Sequence, residues 1–125
     1  MTEKRPVYLN LFKIRLPSTG IVSFAHRVSG VFLFLAIPFS VYLLDRSVAS
    51  REGFDDAVQL LRDPVLQLIL LILVWALVHH FLAGIRYLLL DFDIAIEKSS
   101  STMSAWIVLA AEAVVVAVFA WSIWS

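Results

Sequence analysis

The sequence predicts an all-α membrane protein with three transmembrane helices, and three observations carry that expectation. Of its 125 residues, 61% are hydrophobic, whereas a soluble domain is usually about half apolar. Its mean hydropathy is +0.89. Its charges gather between three long apolar runs, each near the roughly 20 residues that a helix needs to cross a bilayer. The whole chain, 1–125, reads as one membrane domain with spans at about 21–44, 65–90 and 105–124 and a surface loop or helix at 45–63. Ten basic and ten acidic residues balance, so no nucleic acid is expected as a partner. The lipid bilayer is. No cysteine is present, which removes disulfides, thiolate metal sites and iron–sulfur ligation by this chain.

Met1 to Pro17 is polar and lacks an apolar core region, so neither a cleavable signal nor a transit peptide is expected there. The first span follows. Val28 to Leu44 is 17 residues without a charge, and the segment reaches 24 when counted from Ile21 and Arg27 is included. Pro38 falls inside it, which a membrane helix tolerates when neighbours satisfy the freed carbonyl. Ser23, His26, Arg27 and Gly30 fall at i, i+3, i+4 and i+7, one stripe on one helical face. Arg27 can snorkel to the headgroups and carry His26 with it. Alternatively the stripe is a ligand face, with Gly30 letting something bulky approach the backbone.

The link Asp45 to Asp63 is mostly polar, but Phe54, Val58 and Leu61 recur at helical spacing, as in a short helix lying on the membrane surface. Asp63 and Pro64 have the chemistry of an N-cap and a first helical position. Val65 to Ile85, the heart of the second span, is 21 residues without Asp, Glu, Lys or Arg.

This span carries His79 and His80. Neighbours on a helix point roughly 100° apart, so the two cannot clamp one ion from opposite sides. Ala76, Ala83, Gly84 and Tyr87 share the His80 face. Three small residues beside an imidazole leave a flat groove that suits a planar macrocycle. They also suit close helix packing with the imidazole hydrogen-bonded across helices. Both readings stand on these residues alone.

With the span ending near Leu90, the ~1.5 Å rise per residue puts His80 about 15 Å deep and Arg86 about 6 Å deep. Counted from Ile21, Arg27 lies about 9 Å deep on the same side.

The third span, Ala105 to Trp124, is 20 residues interrupted by one acid, Glu112. The Ser/Thr cluster SSSTMS before it is expected to cap the helix. Glu112 lies about 10 Å from the start of the span, where a carboxylate must be paired or protonated. Arg86, at similar depth, is the candidate partner. Trp106, Trp121 and Trp124 mark the two ends of the span as interface anchors.

Seven basic residues (Lys4, Arg5, Lys13, Arg15, Arg27, Arg86 and Lys98) lie toward one side, against Arg46, Arg51 and Arg62 on the other. The positive-inside rule puts the N-terminus and second loop in the cytoplasm.

Two segments bring a family into view. RPVYLNL, followed by IRLP and SFAHRVSG, gives an Arg-Pro opening and a Ser-x-x-His-Arg-x-Ser-Gly element. HFLAGIRYLLLDF gives His-x-x-x-Gly-Ile-Arg with a trailing Asp, and REGFDDA in the linker adds to both. In these the chain resembles the cytochrome b membrane-anchor subunit of bacterial succinate dehydrogenase, respiratory complex II. The likeness covers nearly the whole chain and is weakest in the third span. Three departures stand out. Tyr87 replaces a common His, Ser18 takes a position that is usually apolar, and Glu112 lies outside the pattern.

The resemblance implies half of a two-subunit helical anchor bundle in the bacterial inner membrane. His80 would be one axial ligand of a haem b, the other coming from a second small membrane-anchor subunit. Ser23 and Arg27 would line a ubiquinone site, and His26, Arg27, Gly84 and Arg86 would surround the haem and its propionates. An iron–sulfur subunit and a flavoprotein subunit would dock on the cytoplasmic face, passing electrons from succinate to quinone.

The residue types suit that chemistry. A serine hydroxyl can hydrogen-bond a quinone carbonyl, and a guanidinium stabilises developing negative charge. Succinate oxidation itself needs a flavin, for which this chain has no site; alone it is not catalytic. Competing readings are a haem-less structural anchor, the equivalent subunit of a fumarate reductase, and a small transporter or channel subunit suggested by Arg27 and Glu112.

Overall fold

A computed structural model describes residues 13–125; the RPVYLNL opening, with Lys4 and Arg5, lies outside the described residues. The described residues form four helices and no strand: α1 (Ser18–Ala49), α2 (Arg51–Leu61), α3 (Pro64–Asp91) and α4 (Lys98–Trp124). Three of them, α1, α3 and α4, are long and apolar enough to cross a membrane. At 32, 28 and 27 residues they are longer than their apolar runs, because the polar residues flanking each run continue the same helix. Pro38 does not end α1, although it withholds the hydrogen bond that the Phe34 carbonyl would accept.

α1 and α3 run antiparallel, Gly30 facing His80 and Gly84 facing His26, and α4 returns along α3, so the chain reverses once across α2 and once between α3 and α4. Ser50 caps α2, its hydroxyl accepting from Gly53 N at 3.0 Å. Gly53 and Ala57 are the buried residues of α2, whereas Phe54 of the expected apolar stripe stays 54% exposed. The packing face is thus set by small residues, because α2 lies close against the C-terminal end of α1. A Cβ on Gly53 would run into the Arg46 carbonyl. Arg46 also pairs with Asp56 at 3.2 Å, an exposed ion pair worth about 1 kcal/mol at most.

Asp63 caps α3 as its sequence suggests. Its carboxylate accepts from Val65 N at 2.9 Å and Leu66 N at 3.1 Å, with Pro64 opening the helix. At the other end α3 closes in a Schellman motif. Ile94 N donates to Leu89 O and Asp93 N to Leu90 O, with Asp93 in the left-handed region at φ 59°.

The SSSTMS cluster does not cap α4. The helix starts earlier, at Lys98, with Glu97 in the cap position making no side-chain bond. The serines are therefore helical and free to bond sideways. Trp124 Nε1 donates to Gln67 Oε1 at 3.2 Å, tying the end of α4 to the start of α3.

The bundle interior is small. Val22, Ala83, Ala105 and Val108 form its apolar core, with Leu82, Tyr87 and Leu109 packed around them. Phe24, Phe34, Leu35, Phe81 and Trp121 are among many large apolar side chains that point outward. That is the expected balance for helices solvated by lipid, where nothing forces apolar groups inward.

One consequence is local to α2. Gly53→Ala should force α2 off α1 and cost about 1–3 kcal/mol, read as a lower thermal midpoint of the purified protein. The α1–α3 interface near His80 should be unaffected.

Candidate functional site

His79 and His80 sit side by side on α3 and face different worlds. His79 is fully buried, 0% exposed. Its Nε2 lies 3.2 Å from the Val22 carbonyl oxygen on α1, and its Nδ1 meets the Glu112 carboxylate on α4. A carbonyl only accepts, so Nε2 carries a proton. A further proton lies between Nδ1 and Glu112, on one or the other. Both ring nitrogens are engaged, which leaves none for a metal. Glu112 thus pairs with His79 and not with Arg86, the partner its depth suggested.

Arg86 turns toward α4. It is 5% exposed, donating from Nε to Ser104 Oγ at 2.9 Å and from Nη2 to Ser101 Oγ at 2.8 Å and Ser101 O at 3.1 Å. Those serines are the ones displaced from the expected cap. Serine side chains along one turn of a helix can satisfy a buried guanidinium without a carboxylate.

His80 faces α1. Its Nδ1 lies 3.1 Å from the His26 carbonyl oxygen and 3.2 Å from Ser29 Oγ, while Ser29 Oγ itself donates to the same carbonyl at 2.8 Å. A mid-helix serine often bonds back to the preceding turn in this way. Because the carbonyl can only accept, the proton of the neutral His80 ring is on Nδ1, and the lone pair is on Nε2. Among the described residues nothing bonds that Nε2. A metal-ligating histidine is ordinarily prepared like this, its other nitrogen donating to a carbonyl or carboxylate.

The imidazole is also held in place by shape. The His26 ring stacks on it, centroids 4.0 Å apart and planes 11° from parallel. A Cβ on Gly30 would stand 3.1 Å from His80 Cε1, so glycine leaves room for the ring. His26 meets Tyr87 edge-on at 5.3 Å. Among the described residues two buried polar atoms here, His26 Nε2 and Tyr87 Oη, have no hydrogen-bond partner. Gly84 borders them; a Cβ there would lie 3.9 Å from His26 Nε2.

The structure therefore gathers His26, Gly30, His80 and Gly84 from the sequence candidates. Ser23 is half-buried and Arg27 exposed, and neither shares a side-chain hydrogen bond with the His26–His80 pair among the described residues. Ser29 and Tyr87 are the site residues that the sequence reading left without a role. For Ser29 the available signal is a hydroxyl inside a span, three residues after His26.

Among the described residues no group of three or more His, Asp or Glu could hold a metal ion. Any metal at His80 needs ligands from elsewhere. A separate groove of about 290 Å³ opens between α3 and α4, lined mostly by residues such as Leu82, Leu89, Ile107 and Ala111. It does not reach His80.

Three apolar spans, a buried imidazole that ties them and a second imidazole presenting a free nitrogen define a multi-pass membrane subunit with a ligand-ready helix interface. Residues 1–119 match the family described as succinate dehydrogenase/fumarate reductase transmembrane subunit. The chain belongs to that family. It is 39% identical over 109 residues to the succinate dehydrogenase cytochrome b556 subunit of Coxiella burnetii, covering 86% of this chain and 87% of the relative. It is 32% identical over 105 residues to the protein of the same name from Paracoccus denitrificans, covering 82% and 81% respectively.

The Arg86 contacts can be tested without any cofactor. Ser104→Ala strips the partner from a buried guanidinium Nε and should cost about 1–3 kcal/mol. Ser122→Ala removes a hydroxyl that only bonds back to Phe119 O and should cost far less. Thermal denaturation of the two variants side by side measures the difference.

Proposed function

We propose that this chain is the haem b-carrying anchor of a succinate:quinone oxidoreductase and contributes to its ubiquinone-reduction site. The observation that carries this reading is His80. Its Nδ1 is committed to the His26 carbonyl and Ser29, which leaves Nε2 as the basic nitrogen. Gly30 keeps the ring in place, and the orphaned His26 Nε2 and Tyr87 Oη offer two polar atoms beside it. These residues fit a haem edge bearing carboxylates. Bound there, the haem would supply one-electron storage between the soluble subunits and the quinone.

Each residue then has a task. His80 Nε2 would hold the haem iron, and a second small membrane-anchor subunit would supply a further ligand. His26 Nε2 and Tyr87 Oη would hydrogen-bond its propionates. Arg86, held by Ser101 and Ser104 on α4, would act on the propionates only as a fixed positive charge nearby. Gly84 would keep the surface beside His26 open, while the space at Gly30 is taken by the His80 ring. Ser23 donates a hydrogen bond to a quinone carbonyl, and Arg27 stabilises the negative charge that develops on that oxygen as electrons arrive.

The exposure of Arg27 suits a residue whose ligand and neighbours belong to other chains. These are the flavoprotein and iron–sulfur subunits, docked on the cytoplasmic face of the bacterial inner membrane. Both relatives are named for succinate dehydrogenase, which favours succinate oxidation over fumarate reduction as the working direction.

Two experiments on the purified complex test this. His80→Ala should abolish the low-spin haem spectrum; an unchanged spectrum would show that the iron is held elsewhere. Ser23→Ala and Arg27→Leu should each lower quinone reduction, Arg27→Leu by about a hundredfold. Succinate oxidation by an artificial acceptor should persist in both. If the two activities fell together, these residues would serve assembly and not quinone chemistry.

A further inference from the structure

Two adjacent histidines on one helix pose a choice that the chain must settle. A rotation of α3 by about 100° would carry His79 into the place His80 occupies, so an imidazole could reach the cofactor from either position. Something must hold the helix in one of the two settings.

We propose that Glu112 and His79 are positioning residues for His80, fixing the rotation of α3 so that only His80 can ligate the haem. This rests on the assignment of His80 as the axial ligand. His79 is 0% exposed and Glu112 8%. The imidazole reaches α1 through Val22 O and α4 through the Glu112 carboxylate, so one side chain of α3 joins all three spans. Turning α3 would pull both polar groups out of their partnership and leave a carboxylate unpaired inside the bundle.

The pair is also spatially separate from the cofactor face. Neither His79 nor Glu112 bonds His80, Ser29 or His26. Its influence on the haem therefore runs through helix orientation. The Trp75 ring, with its centroid 5.7 Å from that of His79, closes one side of the buried imidazole.

The test uses the intact complex with haem in place. Glu112→Leu removes the partner of His79 and frees α3 to sample the second setting. The low-spin electron paramagnetic resonance signal should then split or broaden into two species. In the double variant His79→Leu, Glu112→Leu no competing imidazole remains, and a single species should return. Glu112→Gln, whose amide can still donate to His79 Nδ1, should keep the parent signal.

An unchanged signal in Glu112→Leu would overturn the proposal, as would a double variant as heterogeneous as the single one. Should Glu112→Leu fail to assemble, the double variant decides: assembly with one species supports positioning, and failure to assemble makes the pair structural only. His80→Ala in the same series separates the two ideas. Haem lost there, with Glu112→Leu unaltered, sinks the positioning role alone. Haem retained in His80→Ala sinks the ligand assignment itself.

Discussion

A buried imidazole must place two hydrogen bonds, and in this chain the two bonds of His79 run to different helices. The Val22 carbonyl takes one and the Glu112 carboxylate the other. Away from water such groups have no alternative partner, so the three long helices meet where these three groups can coincide. The apolar core gives little directional information by comparison. Val22, Ala83, Ala105 and Val108 are small and would pack in more than one rotation. Polar groups set the geometry of a bundle whose apolar surface is indifferent between lipid and protein.

The rest of the site follows from that orientation. With His79 turned inward, His80 must face α1, where the His26 carbonyl and Ser29 take its Nδ1 and Gly30 leaves space for the ring. Arg86, two turns from His79, falls toward α4 and is satisfied by serines. The chain thereby satisfies its own buried charge and imidazole, yet it leaves His26 Nε2 and Tyr87 Oη without partners. These unpaired polar atoms beside the free His80 nitrogen are the observation on which the proposed haem site rests.

Much of this was legible in the sequence, and the illegible part has a physical cause. Three spans followed from run length, and the cap at Asp63 from residue type and the proline after it. The separation of His79 and His80 followed from helical geometry. The contacts between helices did not. Depth along each helix pointed to Arg86 as the partner of Glu112, but depth fixes only one coordinate; the rotation of α3 gives Glu112 to His79. The SSSTMS cluster has the composition of a cap, yet Arg86 claims two of its serines from within the helix. In α2, Phe54 signalled the packed face, but close approach to α1 is possible only on the Gly53 side. Ser29 was visible as a residue and silent as a partner, since its bond to His80 spans 51 positions.

Membership of the succinate dehydrogenase/fumarate reductase transmembrane subunit family gives this arrangement a setting. In that setting we propose that His80, and not its neighbour, meets the haem iron while His79 braces the bundle. An experimental map of the intact complex with its haem tests that most directly. The expected result is iron bonded to His80 Nε2, with His80 Nδ1 on the His26 carbonyl and His79 between Val22 O and Glu112. Iron on His79 or His26, or on His80 Nδ1, would contradict it.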